Sequence, residues 1–401
     1  MGYDRDAEVE VQGFRFSAVA CGIKKDGAPD LALIHSDVAA SAAGVFTTNR
    51  VAAAPVLLDR ERLRSGEARA ILVNAGCANA CTGDGGYADA VATSRWVAQA
   101  LELQEPEVLV ASTGVIGARL PTERIREGVA PLVAGLGPER LPDAARAIMT
   151  TDTHPKWTLR TDTQGGVQVR MAGMAKGAGM IHPQMATMLC FVVTDASVPP
   201  ALLQDGLVKG LDGSFHSITV DGDTSTNDTV LLLANGASGG PPLAPGTPEA
   251  WACQRLLGDV LREMALAVVR DAEGATKLVH LEVEGAPDPQ AAQRVARCIA
   301  HSPLVKTALY GEEVNWGRIM TAVGYSGVPV DPHTIDLWYD DVQLVGGGQS
   351  ADPQAEGKAQ EIARRREFTI RVALGQGQGR ALLHTCDLSH DYVTINGSYK
   401  T

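Results

Sequence analysis

A small residue followed by a hydroxyl, Ala186-Thr187, opens an apolar run in the stretch HPQMATML at residues 182–189. A threonine hydroxyl is a weak nucleophile near neutral pH unless an adjacent base takes its proton. Cleavage of the bond before Thr187 would supply that base, because a free α-amine titrates near pH ~8. The pair therefore fits self-cleavage by an N-to-O acyl shift, with Thr187 as the nucleophile, although by itself it does not require it. Alternatively, Thr187 is an ordinary strand residue, since β-branched side chains suit strands.

Acyl chemistry at a threonine also needs hydrogen-bond donors for the charge that develops on the attacked carbonyl oxygen. The stretch ASTGVIG at residues 111–117 ends a predicted strand with Thr113 and Gly114. We interpret this hydroxyl and amide as a candidate oxyanion hole, the alternative being a plain turn. Lys176 is the one charge in the glycine-rich stretch at residues 172–187. It indicates an anion bound close to the backbone, or else a solvated lysine on a loop.

Alternating strands and helices must position these residues. Apolar runs bounded by Gly, Asn or Asp predict strands at residues 69–76, 107–114, 188–196, 229–236, 277–285, 367–375 and 391–397. Apolar residues at three-to-four spacing predict helices over residues 86–103, 121–136 and 247–274. Gly- and Pro-rich stretches predict loops at residues 236–248 and 345–358. The chain is therefore expected to be a mixed α/β fold.

Two polar motifs are better explained as turns than as ligand sites. DGDTSTNDT at residues 221–229 alternates side-chain oxygens like a calcium loop, but its sixth and twelfth positions are Thr226 and Leu232. A calcium loop needs Gly and Glu there, so we interpret the segment as a polar turn between strands. GQGQG at residues 375–379 follows a strand without a helix to bind phosphate, and is interpreted as a hairpin turn.

The composition indicates a globular chain with enough apolar residues for one large core or two ordinary ones: of 401 residues, 45% are hydrophobic. The 47 acidic and 35 basic residues give a net charge of −12, which argues against nucleic acid or an anionic membrane as partner. No apolar run approaches the ~20 residues of a membrane span, and the acidic start is not a signal peptide. Seven scattered cysteines predict reduced thiols in a cytoplasmic protein.

Eight segments together resemble the ornithine acetyltransferase family, the bifunctional glutamate N-acetyltransferase/amino-acid acetyltransferases of arginine biosynthesis. They are NAGCANACTG (74–83), STGVIG (112–117), IMTTDTHPK (148–156), MAKGAGMIHPQMATML (174–189), VDGDTSTNDT (220–229), RDAEGATK (270–277), LVKTALYGEEVNWGRI (304–319) and CDLSHDYVTINGSYKT (386–401). The resemblance covers nearly the whole chain, and KGAGMIHPQMATML is its most specific part. Cys77 departs from the small or polar residue that the family pattern leads us to expect, without an expected loss of activity.

The resemblance implies an enzyme that moves an acetyl group from N2-acetyl-L-ornithine to L-glutamate through an ester on Thr187. It implies cleavage between Ala186 and Thr187, giving an α chain of residues 1–186 and a β chain of residues 187–401 in an α2β2 heterotetramer. It implies an oxyanion hole at Thr113 and Gly114. The implied substrate contacts are Thr150, Lys176, Thr187, Glu273, Asn396 and Thr401.

The implied fold has helices layered over β-sheets, as in self-processing aminopeptidases, with a connectivity distinct from that of the N-terminal-nucleophile hydrolases. No metal or cofactor is implied, and acetyl-CoA stands as an alternative acetyl donor. Lys176 would bind the substrate carboxylate or stabilise the oxyanion, and Glu273 would suit the side-chain amine of ornithine. Two other functions stay open: a self-processing aminopeptidase or amidase that passes the acyl group to water, and a catalytically silent scaffold.

We predict that active protein separates on a denaturing gel into two bands, of residues 1–186 and 187–401. N-terminal sequencing of the second band should begin TMLCF. Thr187→Ala should stay uncleaved and inactive, because it lacks the hydroxyl that starts the acyl shift. A single stable full-length band from active enzyme would contradict the assignment of Thr187 as nucleophile.

Overall fold

The computed structural model describes residues 10–182, 188–352 and 354–398, and it contains two β-sheets. The larger sheet contains β1 (Phe14–Val19), β2 (Leu31–Phe46), β3 (Glu67–Cys77), β4 (Val108–Val115), β5 (Lys156–Gln164), β6 (Val167–Lys176), β7 (Leu189–Thr194) and β8 (Thr229–Ala234). The smaller sheet contains β9 (Leu278–Ala286), β10 (Asp336–Tyr339), β11 (Val342–Gly346), β12 (Gln349–Ser350), β13 (Glu367–Ala373) and β14 (Gly379–Cys386).

Helices cover these sheets, which confirms the predicted mixed α/β class with layered helices. They are α1 (Ala54–Arg62), α2 (Gly83–Leu101), α3 (Thr122–Ala134), α4 (Leu141–Ala147), α5 (Pro200–Asp212), α6 (Pro248–Arg270), α7 (Pro289–His301), α8 (Pro303–Tyr310), α9 (Trp316–Gly324), α10 (Ala355–Ala363) and α11 (His390–Ser398). Of the described helices, none is both long and apolar enough to cross a bilayer. All seven cysteines are free thiols.

The larger sheet has the order β4-β3-β2-β8-β7-β6-β5, with β1 beside the first half of β2. Its central strands are buried on both faces, as their continuous apolar sequences predict. In β7, Cys190 and Val192 belong to the core shared with α5 and α6, whereas Phe191 and Val193 pack on the α4 side. Burial on both faces holds the backbone of these strands in place. The predicted site residues Thr113 and Lys176 lie at the ends of such strands.

The smaller sheet has the order β12-β11-β10-β13-β9-β14, and its core lies against α7, α9 and α10. The predicted hairpin at residues 375–379 is wrong. β13 pairs with β9 on one side, and β14 pairs with β9 on the other, so the segment crosses the end of β9. Turn chemistry predicts that the chain reverses, but it does not specify which strand lies between the two arms.

The other predicted strands and the three predicted helices are present, with one exception at residues 391–397. That segment belongs to α11 rather than to a strand. Its β-branched residues favour a strand locally, but no residue of α11 is buried, so apolar packing does not select the conformation. Side chains four residues apart, Tyr392 and Asn396, instead reach the same cavity from one face of the helix.

The predicted boundary at residues 186/187 lies outside the described residues, and the strands on either side of it belong to one sheet. β6 lies before it and β7 after it, and these two strands pair antiparallel from Met171 opposite Thr194 to Lys176 opposite Leu189. β7 pairs with β8, which in turn pairs with β2. The two strands that follow the boundary are therefore enclosed between strands that precede it.

Candidate active site

A cavity of about 300 Å³ lies where β4 and β6 end, covered by α11 and by the segment that leads into β8. It is lined by Ala78, Thr113, Gly114, Ile116, Thr150, Thr151, Lys176, Gly179, Met180, Asp221, Asp223, Ser225, Asn227, Glu273, Tyr392 and Asn396. Hydroxyls, amides, one ammonium and several carboxylates thus face one small space. Such a lining suits a small molecule that carries charges of both signs.

The cavity brings together the predicted site residues that the structure describes. They are Thr113, Gly114, Thr150, Lys176, Glu273 and Asn396. Of the three threonines in the stretch TTDT, Thr150 and Thr151 line the cavity, and Thr150 has the closer connection to the site through its hydroxyl. Ala186, Thr187 and Thr401 lie outside the described residues.

Gly114 occupies a position that admits no side chain. It follows Thr113 near the end of β4, and its φ of 128° lies in a region that favours glycine. A Cβ atom there would come within 2.3 Å of the carbonyl carbon of Gly76 in the neighbouring strand β3. The close approach of β3 and β4 at this irregular pairing therefore explains why glycine follows the threonine.

Lys176 is buried at the end of β6, so the interpretation as a solvated loop lysine is wrong. Its Nζ donates to Oγ1 of Thr150 at 2.7 Å and to Oγ1 of Thr113 at 3.3 Å. A hydroxyl that accepts a hydrogen bond keeps its own proton to donate elsewhere. Burial lowers the pKa of Lys176, and the opposite charge of Asp152 acts against that effect. Because the Thr113 hydroxyl accepts the hydrogen bond from Lys176, its own proton is free to be donated to a ligand.

Glu273 supplies a carboxylate to the same cavity. It follows the end of α6, and its amide donates to the carbonyl of Ala178 at 3.0 Å. Its Oε2 accepts a hydrogen bond of 2.7 Å from Nδ2 of Asn396 in α11. A Cβ atom on Gly179 would lie 2.3 Å from that oxygen, so the absence of a side chain at Gly179 makes room for the carboxylate. Asp223 adds a further carboxylate to the lining.

The segment at residues 221–229 is a polar connection that leads into β8 and lines the cavity, but it follows the 3-10 helix Phe215–Ser217 rather than the predicted strand. Asp221 accepts hydrogen bonds from the amides of Met180 at 2.6 Å and Ile181 at 2.9 Å, and from the Tyr392 hydroxyl at 3.1 Å. Burial raises the pKa of Asp221, and these donors oppose the rise. Asp221 thus ties α11 to the segment before residue 183.

Asn227 connects the same turn to the candidate oxyanion hole. Its Nδ2 donates to the carbonyl oxygens of Ala78 at 2.6 Å and Ser112 at 2.8 Å. Sequence analysis did not assign a site role to Asp221, Asn227 or Tyr392. The available signal was a run of side-chain oxygens directly before a strand with two buried faces, where solvated side chains are not expected.

The cavity thus combines the Thr113 hydroxyl and Gly114 with carboxylates that suit a cation on the same ligand. Among the residues outside the gaps at 183–187 and 353 and outside the two ends of the chain, no three His, Cys, Asp or Glu side chains form a group fit to hold a metal ion. The groups present are those of acyl transfer assisted by hydrogen-bond donors.

The chain is similar to known proteins over nearly its whole length. The ArgJ family model matches residues 15–401. The arginine biosynthesis bifunctional protein ArgJ of Geobacter sulfurreducens is 54% identical over 98% of this chain and 100% of its own length. That of Desulfotalea psychrophila is 47% identical with the same coverage. A solved chain of ArgJ from Bacillus halodurans is 39% identical with a TM-score of 0.50, covering 52% of this chain and 98% of that one. The chain therefore belongs to the ArgJ family, which confirms the family that its motifs predicted.

Proposed function

We propose that this acyltransferase of the ArgJ family moves the acetyl group of N2-acetyl-L-ornithine to L-glutamate, giving L-ornithine and N-acetyl-L-glutamate in arginine biosynthesis. The observation that carries the proposal is the single cavity that joins Thr113, Gly114 and Lys176 to the carboxylate of Glu273. The first three suit a carbonyl that becomes an oxyanion. The carboxylate suits the side-chain ammonium that distinguishes ornithine from most amino acids.

In the first half-reaction the acetamide oxygen of acetylornithine lies between the Thr113 hydroxyl and the Gly114 amide. The α-amine of Thr187 takes the proton of the Thr187 hydroxyl, whose oxygen attacks the acetyl carbon. The tetrahedral oxyanion is stabilised by the two donors. The carbon–nitrogen bond then breaks, the proton passes to the departing nitrogen, and ornithine leaves an acetyl ester on Thr187.

In the second half-reaction the α-amine of glutamate attacks the ester carbon, and the same donors stabilise the oxyanion. The bond from carbon to the Thr187 oxygen breaks, and that oxygen regains the proton that the attacking nitrogen loses to the Thr187 α-amine. N-acetylglutamate leaves, which returns the enzyme to its starting state. Acetyl-CoA would be a second acetyl donor that forms the same ester on Thr187, in keeping with the name bifunctional that the curated relatives carry.

We also infer that the mature enzyme consists of the chains 1–186 and 187–401, assembled as two copies of each and acting in the cytoplasm. The solved Bacillus halodurans chain spans about half of this chain over nearly all of its own length, as a mature cleavage product would. The enclosure of β7 and β8 between β2 and β6 supports lasting association, because separating the chains would break the pairing on both sides.

The transfer assay that tests this function follows two products from acetylornithine and glutamate. We expect N-acetylglutamate to form faster than free acetate, and neither product to form with Thr187→Ala. Acetate without N-acetylglutamate would contradict the proposal in favour of an aminopeptidase or amidase. Uncleaved protein that forms neither product would favour a catalytically silent scaffold. An assay with glutamate and acetyl-CoA, without acetylornithine, measures whether acetyl-CoA serves as a second acetyl donor.

The room that Gly179 leaves for Glu273 gives a specificity test. Gly179→Ala should displace the carboxylate, because its Cβ would lie 2.3 Å from Oε2. Loss of a charge-assisted contact of about 1.5–3 kcal/mol predicts a KM for acetylornithine raised by roughly 10- to 100-fold. Gly258→Ala is the matched control, since a Cβ in that part of α6 meets nothing within 4 Å. Equal KM values for the two variants would contradict the role of Glu273.

A further inference from the structure

A row of alternating charges lies behind the cavity and includes three residues that do not line it: Asp152, Lys156 and Asp271. The side chains of Lys156 and Asp152 are 0% exposed and that of Asp271 is 3% exposed. Nζ of Lys156 lies 2.6 Å from Oδ1 of Asp152 and also donates to Oδ2 of Asp271. Removing such charges from water is costly, so their retention in this place calls for a reason beyond packing.

Asp152 holds both pieces of backbone that surround the Lys176 ammonium. Its Oδ1 accepts from the amide of Gly177 at 2.7 Å, one residue after Lys176. Its Oδ2 accepts from the amide of Thr150 at 3.0 Å. Thr150 is also the residue whose hydroxyl accepts the 2.7 Å hydrogen bond from Lys176. One carboxylate therefore fixes the end of β6 and the threonine opposite it.

The negative charge of Asp152 also compensates the positive charge of Lys176. The described acceptors of Lys176 are the neutral hydroxyls of Thr113 and Thr150, which do not compensate a positive charge. Burial would raise the pKa of Asp152, but Lys176 and Lys156 outweigh it and hold that pKa below its usual range. Asp152 is thus an anion throughout the physiological range, and it opposes the loss of the Lys176 proton.

We propose that Asp152 is a positioning residue of the acetyl transfer, which holds the Lys176 ammonium against the Thr113 hydroxyl so that the Thr113 proton is directed to the oxyanion. Lys156 holds Asp152 in place by a hydrogen bond, and Asp271 in turn accepts a hydrogen bond from Lys156. Asp271 also accepts a 3.0 Å hydrogen bond from the amide of Thr153, and it precedes Glu273 by two residues. The row thereby joins the two parts of the cavity that bind the acetyl group and the ammonium. The inference rests on the proposed function.

Other charged groups act on Lys176 as well. Glu273 and Asp228 favour its protonated form, and Lys156 disfavours it. Lys24 is a further cation close enough for Lys176 to lower its pKa. Loss of Asp152 removes the largest of the favourable contributions, so the ammonium should lose its proton at lower pH. Loss of the Lys156 charge should have the opposite effect, so that Lys176 loses its proton at higher pH.

The test compares Asp152→Asn with wild type in the cleaved, full enzyme. We expect kcat for acetyl transfer to fall roughly 10- to 100-fold, less than or equal to the loss for a direct oxyanion donor. KM for acetylornithine should change less than kcat, because Asp152 does not itself line the cavity and acts on it only through Thr150 and Lys176. The alkaline limb of the kcat–pH profile should move to lower pH. Asp195→Asn is the matched control, a buried carboxylate of the same sheet that accepts from the Arg170 amide at 2.8 Å, away from the cavity.

Wild-type kcat and an unmoved alkaline limb in Asp152→Asn would overturn the inference, as would an equal loss in Asp195→Asn. If Asp152→Asn does not fold, Lys156→Gln decides, since glutamine retains a donor towards Asp152 and Asp271. Its alkaline limb should move to higher pH, and an unmoved limb would overturn the inference. Absence of acetyl transfer in wild type would instead contradict the proposed function, which keeps the two failures distinct.

Discussion

Burying the ammonium of Lys176 costs several kcal/mol unless hydrogen bonds and opposite charge compensate it. The compensation comes from two separate parts of the chain: Thr113 at the end of β4, and the short segment after α4 that carries Thr150, Asp152 and Lys156. Each must be placed to within a hydrogen-bond length for the ammonium to stay charged. The same placement leaves the Thr113 hydroxyl as a donor beside Gly114, so the compensation of one charge shapes the part of the cavity that we propose binds the acetyl group.

The larger sheet makes this placement rigid. β7, which starts two residues after Thr187, is buried on both faces and paired on both edges. The proposed nucleophile thus directly precedes a strand whose backbone is fixed, and a fixed backbone favours catalysis by orientation. The enclosure of β7 and β8 by strands from the other proposed chain gives the same rigidity after cleavage. The two proposed chains therefore share the cores on the two faces of the larger sheet, whereas the core of the smaller sheet belongs to residues 187–401 alone.

Most of the strands and helices and the candidate site residues could be predicted from the sequence. The strand at residues 188–196 is a continuous apolar run, and burial on two faces is what such a run predicts. The six predicted site residues that the structure describes came from the family resemblance of their motifs, and the structure places all six in one cavity. Local signals failed where tertiary contacts decide the outcome. The helix α11 has no buried residue, and contacts of Tyr392 with Asp221 and of Asn396 with Glu273 connect it to the site.

The charge row behind the cavity shows the same limit. Asp152 and Lys156 stand in one short motif, but Asp271 is more than a hundred residues away. Only the packing of the end of α6 against the larger sheet brings its carboxylate to Lys156. Likewise, the polar turn before β8 was visible in the sequence, whereas its hydrogen bonds to Ala78 and Ser112 depend on how three separate segments meet.

The central claim is that the acetyl group rests on Thr187 between donor and acceptor. The most direct measurement is the intact mass of each chain after incubation with acetylornithine and no glutamate, followed by peptide mapping. We expect one added acetyl group on the chain of residues 187–401, located at Thr187 and removed when glutamate is supplied. Acetyl transfer to glutamate without any such adduct, or with the adduct on another residue, would contradict it.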